Sequence, residues 1–285
     1  MDIYAMVTDR IIEELEKGFI PWLKPWVGGR GAISHTTGKS YSLLNQMLLN
    51  KPGEWLTFNQ CAKEGGTVKK GEKSRFCVFW KWVEVKDDDN EEKIKRVPFL
   101  RYYNVFHIDQ CEGIKPRKNK AVSDFEPEEE AQSVFDSYIK REGIVMTHDD
   151  GESYYNPAKD LINLPLMNRF YKVAEYYSTA FHEAVHSTGA KTRLDRDGVT
   201  NLSFFGSDDY SKEELIAEIG ASMLVHKVGL ETESSFRNNA AYIENWLSVL
   251  KNDKRFIVSA SGKAEKAVKF ILGEASGDEG EESAA

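Results

Sequence analysis

Cysteine is scarce in this chain. Cys61, Cys77 and Cys111 are an odd number without any C-x-x-C spacing, which argues against a disulfide framework and a cysteine-based zinc site and makes reduced thiols the expectation. Long apolar runs are missing too: none reaches the ~18 residues of a membrane span. The first ten residues carry Asp2, Asp9 and Arg10 and do not read as a signal peptide. The expected location is therefore the cytoplasm. No internal repeat is visible, and the Gly38-Lys39-Ser40 triplet lacks the glycine spacing of a phosphate loop. A basic surplus is also lacking, since 38 Lys/Arg face 46 Asp/Glu for a net charge of -8. Spread evenly, that charge would discourage a polyanionic partner.

What is present excludes full disorder, because 41% hydrophobic and 12% aromatic residues suffice for a packed core across 285 residues. The charge is also uneven. Residues 1–124 hold 21 Lys/Arg against 17 Asp/Glu, and residues 125–285 hold 17 against 29. Five of the six tryptophans, Trp22, Trp26, Trp55, Trp80 and Trp82, fall in the first part. Charge and aromatics shift together, which predicts two domains. Between them KPRKNKAVSDFEPEEE reads as an exposed linker, giving an expected first domain over 1–122 and a second over 123–272. Residues 273–285 carry five acids and no base, and read as a disordered acidic tail.

Helical spacing of Ile3, Val7, Ile11 and Leu15, ended by Gly18 and Pro21, predicts an amphipathic first helix. Ser42–Leu49 reads as a short apolar helix, and Thr57 as the cap of another that stops at Gly65-Gly66. Two β-like runs, Arg75–Val85 and Val97–Ile108, flank a DDDN turn and predict a hairpin, so the first half reads as α+β. Beyond the linker we expect a helix over about Pro127–Arg141 and a Tyr-rich β region ending in DLINLP, with 160–164 as an edge strand able to pair with an extended peptide. A long helix follows from about Asn168 to Thr188, with Phe170, Val173, Tyr177, Phe181 and Ala184 on its apolar face. Another runs from Lys212 to about Val228 behind a Ser211-x-x-Glu214 capping box, and a C-terminal helix pair is anchored by Trp246.

The long helix expected from about Asn168 to Thr188 contains His182-Glu183-Ala184-Val185-His186, an H-E-x-x-H sequence. At i and i+4 two imidazoles leave one side of a helix a turn apart, so both can bind one Zn2+. Zinc lowers the pKa of a water to about 7, and Glu183 is placed to accept its proton. A third protein ligand is required. Glu214 and Glu218 in EELIAEIGAS share a helix face, and Glu214-Leu-Ile-Ala-Glu218 resembles the E-x-x-A-D pattern of H-E-x-x-H enzymes with a glutamate ligand. Either carboxylate can be the ligand and the other an orienting group, while Glu214 can alternatively serve only as the cap partner of Ser211. His35, His107, His148 and His226 stand alone and read as packed or solvated. Tyr177 and Tyr210 are candidates to polarise a carbonyl, against a plain core role.

In the first half, aromatics interleave with lysines on expected turns: Trp22, Lys24 and Trp26, then Lys39, Tyr41 and Asn45, then Lys69, Lys70 and Lys73. Such combinations bind single-stranded nucleic acid through stacking and phosphate contacts. By themselves they fit equally a tryptophan core with a solvated lysine face.

PW-x-x-PW, TGKSYSLLN, WLTFNQ, GGTVKKGEK, HEAVHSTG, TRLDR and YSKEELIAEIGAS together resemble the ArdC-type antirestriction proteins of plasmids and phages, over the chain to about Leu272. The resemblance implies an N-terminal domain that binds single-stranded DNA and a C-terminal zincin-like metallopeptidase domain. It implies one Zn2+ per chain, metal histidines at His182 and His186 and a general base at Glu183. It also implies protection of incoming mobile-element DNA from host restriction. The resemblance does not fix a peptide substrate, for which a host protein is a candidate. The alternative is a non-catalytic DNA-masking protein in which zinc only stiffens the fold.

Overall fold

The computed structural model describes residues 2–22, 31–87, 90–117, 127–149, 151–200, 208–230 and 240–274. The architecture is α+β in two compact units. One comprises 1–7, 31–119 and 277–285, and the other 8–30 and 120–276. The expected boundary near Val122 and the tail from 275 lie outside the described residues. Residues 8–30 group with the second unit, whereas the sequence reading places them in a first domain over 1–122.

Helix α1 (Ile3–Glu16) ends before Gly18, whose φ of +79° suits only glycine at low cost. The first unit is built on a four-stranded sheet of β1 (Ala32–Ser34), β2 (Gly53–Leu56), β4 (Arg75–Asp87) and β5 (Asn90–His107), in the order β1-β2-β5-β4. β1 runs parallel to β2, and the other neighbours are antiparallel. The long β4–β5 hairpin is the one that the Phe/Val/Trp-rich runs predict. Helix α2 (Leu43–Leu49) starts after Ser42, and α3 (Phe58–Lys63) is capped by a reciprocal Thr57–Gln60 box. A small ribbon joins β3 (Thr67–Val68) to β6 (Cys111–Glu112).

Two successive amides of α2 bind both edges of the main sheet. Asn45 donates to the Val78 carbonyl and accepts from its N–H, each at 2.8 Å. Gln46 does the same at Ala32, accepting at 2.6 Å and donating at 2.8 Å. Each side chain thus pairs with one strand residue as a neighbouring strand would, Gln46 doing so beside the Tyr41 N–H, which also donates to the Ala32 carbonyl at 3.1 Å. Beneath them Ala32, Leu49, Trp55, Cys77 and Val105 form the core, with Tyr41 and Tyr103 packed against it.

In the second unit α4 (Pro127–Glu142) precedes a three-stranded sheet of β7 (Val145–Thr147), β8 (Tyr154–Asn156) and β9 (Leu161–Asn163). The order is β7-β9-β8, so β9 is central and the expectation of an edge strand at 160–164 is corrected. β9 is apolar enough to be covered on both sides, Ile162 being fully buried. Helix α5 (Val173–Thr188) begins five residues later than expected, with Met167–Arg169 a separate 3-10 turn and Phe170 outside both. α6 (Asp197–Thr200), α7 (Asp208–Lys227), α8 (Ala240–Asn252) and α9 (Phe256–Leu272) complete the unit. α7 starts three residues before Ser211, so Ser211 lies inside the helix and the capping box is absent. The Ser211 hydroxyl instead accepts from Asn245 of α8 at 3.3 Å. α5 and α7 approach closely at Gly220, where a Cβ would lie 2.9 Å from Val185. That contact fixes the height at which the two helices face each other.

Candidate metal centre

The interior of α5 is apolar where it meets the rest of the second unit, with Ala180, Phe181, Ala184 and Val185 fully buried. Their spacing leaves His182, Glu183 and His186 on the flank that looks toward α7. The Nε2 atoms of His182 and His186 converge to 3.0 Å. Glu214, nearly two turns into α7, closes the third corner, with one carboxylate oxygen 3.4 Å from His182 Nε2 and the other 3.3 Å from His186 Nε2. Ligands bonded at ~2.0–2.1 Å in a tetrahedral site lie about 3.3–3.4 Å apart, so each Glu214 oxygen stands at a ligand-like separation from one histidine and the His–His edge is slightly short. Among the described residues this is the one cluster of three or more potential ligands, all within 4.8 Å of one another. The donor set, two imidazoles and a carboxylate, fits one divalent cation.

The outer nitrogens are also engaged. Glu218 Oε1 stands 3.6 Å from His182 Nδ1, and Glu213 Oε1 stands 3.4 Å from His186 Nδ1. Of the two carboxylates that the sequence leaves open, Glu214 therefore faces the converging nitrogens and Glu218 lies behind a histidine. Glu213 and its partner Arg196 are absent from the sequence-based reading. Arg196 is buried, grips Glu213 at 2.6 Å through Nη2, and also reaches the Thr188 hydroxyl and the Val185 carbonyl, both at 2.7 Å. The only prior signal was its place in TRLDR, just past the motif helix.

Negative charge dominates the cluster. Burial by itself would lower the His186 pKa, but hydrogen bonds to Glu213 and Glu214 override it and push the imidazole up to about 10. Burial likewise opposes ionisation of Glu214, yet the two histidines hold its carboxyl well below the usual range. His186 and Arg196 do the same for Glu213 against its burial. The same negative charge favours a divalent cation, which has to displace the imidazole proton to bind. Glu183 is buried, and its carboxylate has no hydrogen-bond partner among the described residues.

The other candidates separate clearly. Tyr177 is core: it is buried, donates to Gln132 at 2.7 Å, and burial pushes its hydroxyl up to about 12. The Tyr210 side chain, Lys24 and Trp26 lie outside the described residues. Trp22 is corrected as a nucleic-acid contact, because it is buried in the second unit with its ring edge-on to Trp246 at 5.2 Å. Asn45 is corrected too, being fully buried with its amide committed to Val78. Tyr41 packs against the core of the first unit. Lys39, Lys69, Lys70 and Lys73 are exposed there, Lys69 bonding the Asp109 carbonyl at 2.8 Å. His35, His107 and His148 are all held by protein partners, and His226 is largely buried, its pKa lowered by burial.

Residues 133–263 match the zincin-like metallopeptidase family, and residues 1–106 match the N-terminal domain of anti-restriction factor ArdC. The crystal structure of antirestriction ArdC protein from the R388 plasmid, metal-free, is 33% identical, with a TM-score of 0.76 over 96% of this chain and 98% of that one. The chain belongs to the ArdC antirestriction family. The Mn(II)-bound structure of the R388 protein gives a TM-score of 0.75 at the same identity, over 98% of this ArdC-type chain and 100% of that one. An uncharacterized protein, y4eC, of Sinorhizobium fredii is 31% identical over 95% of this chain and 91% of its own. Two Escherichia coli proteins called DNA primase TraC are 31% and 32% identical, and this ArdC-type chain spans only 20% and 27% of their lengths. Among the described residues no helix is long and apolar enough to cross a membrane.

Proposed function

We propose that this protein shields incoming mobile-element DNA from restriction, binding single-stranded DNA through its first unit and hydrolysing peptide bonds in its second, in the cytoplasm. The observation that carries the peptidase half is the convergence of His182, His186 and Glu214, with the buried carboxylate of Glu183 close enough to act on the charge of His186. The DNA half is supported by family membership together with the exposed lysines of the first unit.

His182, His186 and Glu214 are the residues that would hold one Zn2+. Bound there, the ion supplies Lewis acidity and lowers the pKa of a water to about 7. Glu183 takes the proton of the attacking water and returns it to the departing amine. Glu218 and Glu213 steer the two imidazoles from behind, with Arg196 keeping Glu213 in place. Three protein ligands, two of them only partly buried, leave room for a substrate carbonyl, which favours a catalytic site over a closed structural one. The edge strand β8 pairs antiparallel with β9 and is suited to add an extended peptide.

The test combines elemental analysis, hydrolysis of a labelled casein and a single-stranded oligonucleotide shift. Wild type should carry one zinc and His182→Ala none. Glu183→Gln should keep the zinc and lose hydrolysis. Full hydrolysis by Glu183→Gln would refute the assignment of the base. Restriction protection that survives undiminished in Glu183→Gln would instead favour DNA masking alone.

A further inference from the structure

We propose that one face of the β4–β5 hairpin, carrying Phe79, Lys81, Phe99 and Arg101, is the platform on which the first unit holds a nucleic-acid single strand. This rests on the single-strand reading above and gives it a location that none of the turn lysines provides. The ladder pairs Phe79 with Arg101 and Lys81 with Phe99. Directly paired residues of an antiparallel ladder share a face, as do residues two apart on one strand, so all four side chains stand together. Ring and cation alternate both along and across the strands. Phe79 and Phe99 lie on one diagonal and Lys81 and Arg101 on the other, each about 7–8 Å between backbones.

Toward the base of the hairpin this face runs into the core through Cys77, Tyr103 and Val105. Phe79 is braced edge-on by Tyr103 at 5.7 Å, so the first ring is anchored. Farther out the face opens: Lys81 and Arg101 are exposed, and Phe99 is 43% exposed. Neither cation has an ion-pair partner among the described residues. The described positions of this face, Arg75 to Val83 and Val97 to Val105 taken alternately, include no acid. The opposite face is already used, with Val78 and Leu100 buried and Trp80 against Tyr4 at 6.5 Å.

Exposed cations without an ion-pair partner among the described residues call for an anion, and solvent-facing rings call for flat apolar surfaces. A single strand offers phosphates and unstacked base faces together, whereas a duplex hides its base faces and an acidic polypeptide has none. The arrangement therefore selects a single strand. It also explains how a chain of net charge -8 can bind a polyanion: the contact is small, local and stacking-dependent.

Fluorescence anisotropy of a labelled oligothymidylate on the full chain, over a salt series, tests this. Phe99→Ala should weaken binding about 10-fold, and Phe99→Trp should retain it. Lys81→Gln with Arg101→Gln should shrink the slope of log affinity against log salt by about 1.4, for two lost phosphate contacts. Lys140→Gln on α4 should change neither. Melting curves check that each variant folds. If wild type binds and these hairpin variants keep its affinity and slope, the platform is overturned while the single-strand reading stands. If wild type does not bind, the reading itself falls. Equal loss of polyglutamate and of the oligonucleotide by the double variant, with no effect of Phe99→Ala, would reveal a general anion patch and overturn the platform.

Discussion

Each unit contains histidine among carboxylates, and the two clusters behave as opposites. In the first unit His35 is buried between Glu54, 2.5 Å from Nδ1, and Glu64, 2.8 Å from Nε2. The Arg117 backbone N–H donates to Glu54 and its guanidinium reaches the His35 carbonyl, so every polar group there is spent on its neighbours. In the second unit the carboxylates Glu218 and Glu213 take only the outer nitrogens, and the inner ones meet each other across 3.0 Å with Glu214. Both places combine histidine with glutamate, one imidazole between two carboxylates in the first unit and two imidazoles among three in the second. Convergence of lone pairs on one point, not the count of ligand-type residues, separates a metal centre from an internal tie. The contrast extends to the supporting side chains: the first unit uses Asn45 and Gln46 to bond its sheet edges, and the second uses Arg196 to hold Glu213 beside His186.

The strongest way to sharpen the comparison is Glu183→Gln. Hydrolysis should fall roughly 10²–10⁴-fold with metal content and oligonucleotide affinity unchanged, as read by activity, elemental analysis and anisotropy on one preparation. Arg196→Met should come next. It leaves Glu213 buried without its cation, at a cost of about 3–5 kcal/mol, and loosens metal binding ~10–100-fold through His186. Chemical denaturation and a competitive chelator titration would show both, and a variant with wild-type metal affinity would break the claim that Glu213 positions His186. In the first unit Asn45→Leu should cost about 1–3 kcal/mol for each Val78 group left unpaired, with no effect on bound metal. Loss of metal in that variant would contradict the independence of the two networks.

The smallest effect is a pH dependence of the first unit. Burial pulls His107 below its ordinary 6.5, Lys51 and Arg75 adding to it against the Pro52 carbonyl and Asp109. Above pH 6.5 both folded and unfolded chains are neutral at this site. As pH falls below 6.5 the unfolded chain takes up the proton first, so stability declines until the lower folded pKa is passed, by at most ~1.4 kcal/mol per pH unit. Exchange protection of the Trp55 and Leu56 amides should drop over that window and do so less in His107→Gln. Gly53 sits in the same corner, with φ of +112° and a would-be Cβ 2.5 Å from His107 Nε2, so substitution there should disturb the same amides at every pH.

Much of this was legible beforehand. The hairpin, α1, α2, α3 and α4 follow from local periodicity, caps and turn residues, which act within a few positions of each other. The His182–Glu183–His186 group is equally local, since one helical turn brings its members together. Glu214 and Glu218 could not be told apart, because both share a face of α7 and the choice depends on how that helix slides along α5. Reading Ser211 as a cap also failed, since local capping preference yielded to a helix that begins at Asp208. Trp22 and Asn45 were misplaced for a related reason: an aromatic or amide in a Lys-rich segment carries no local mark of whether it faces solvent or a distant helix.

The sequence by itself determined the α+β character, the motif helix and the uneven charge, all of which rest on interactions between near neighbours in the chain. Tertiary packing alone decided that Glu214 would meet the two histidines and that Arg196 would brace Glu213. It also decided that Phe79, Lys81, Phe99 and Arg101 would share one open face. Each of those arrangements joins residues through helix contact or strand register, and such long-range geometry has no periodic signature in the chain.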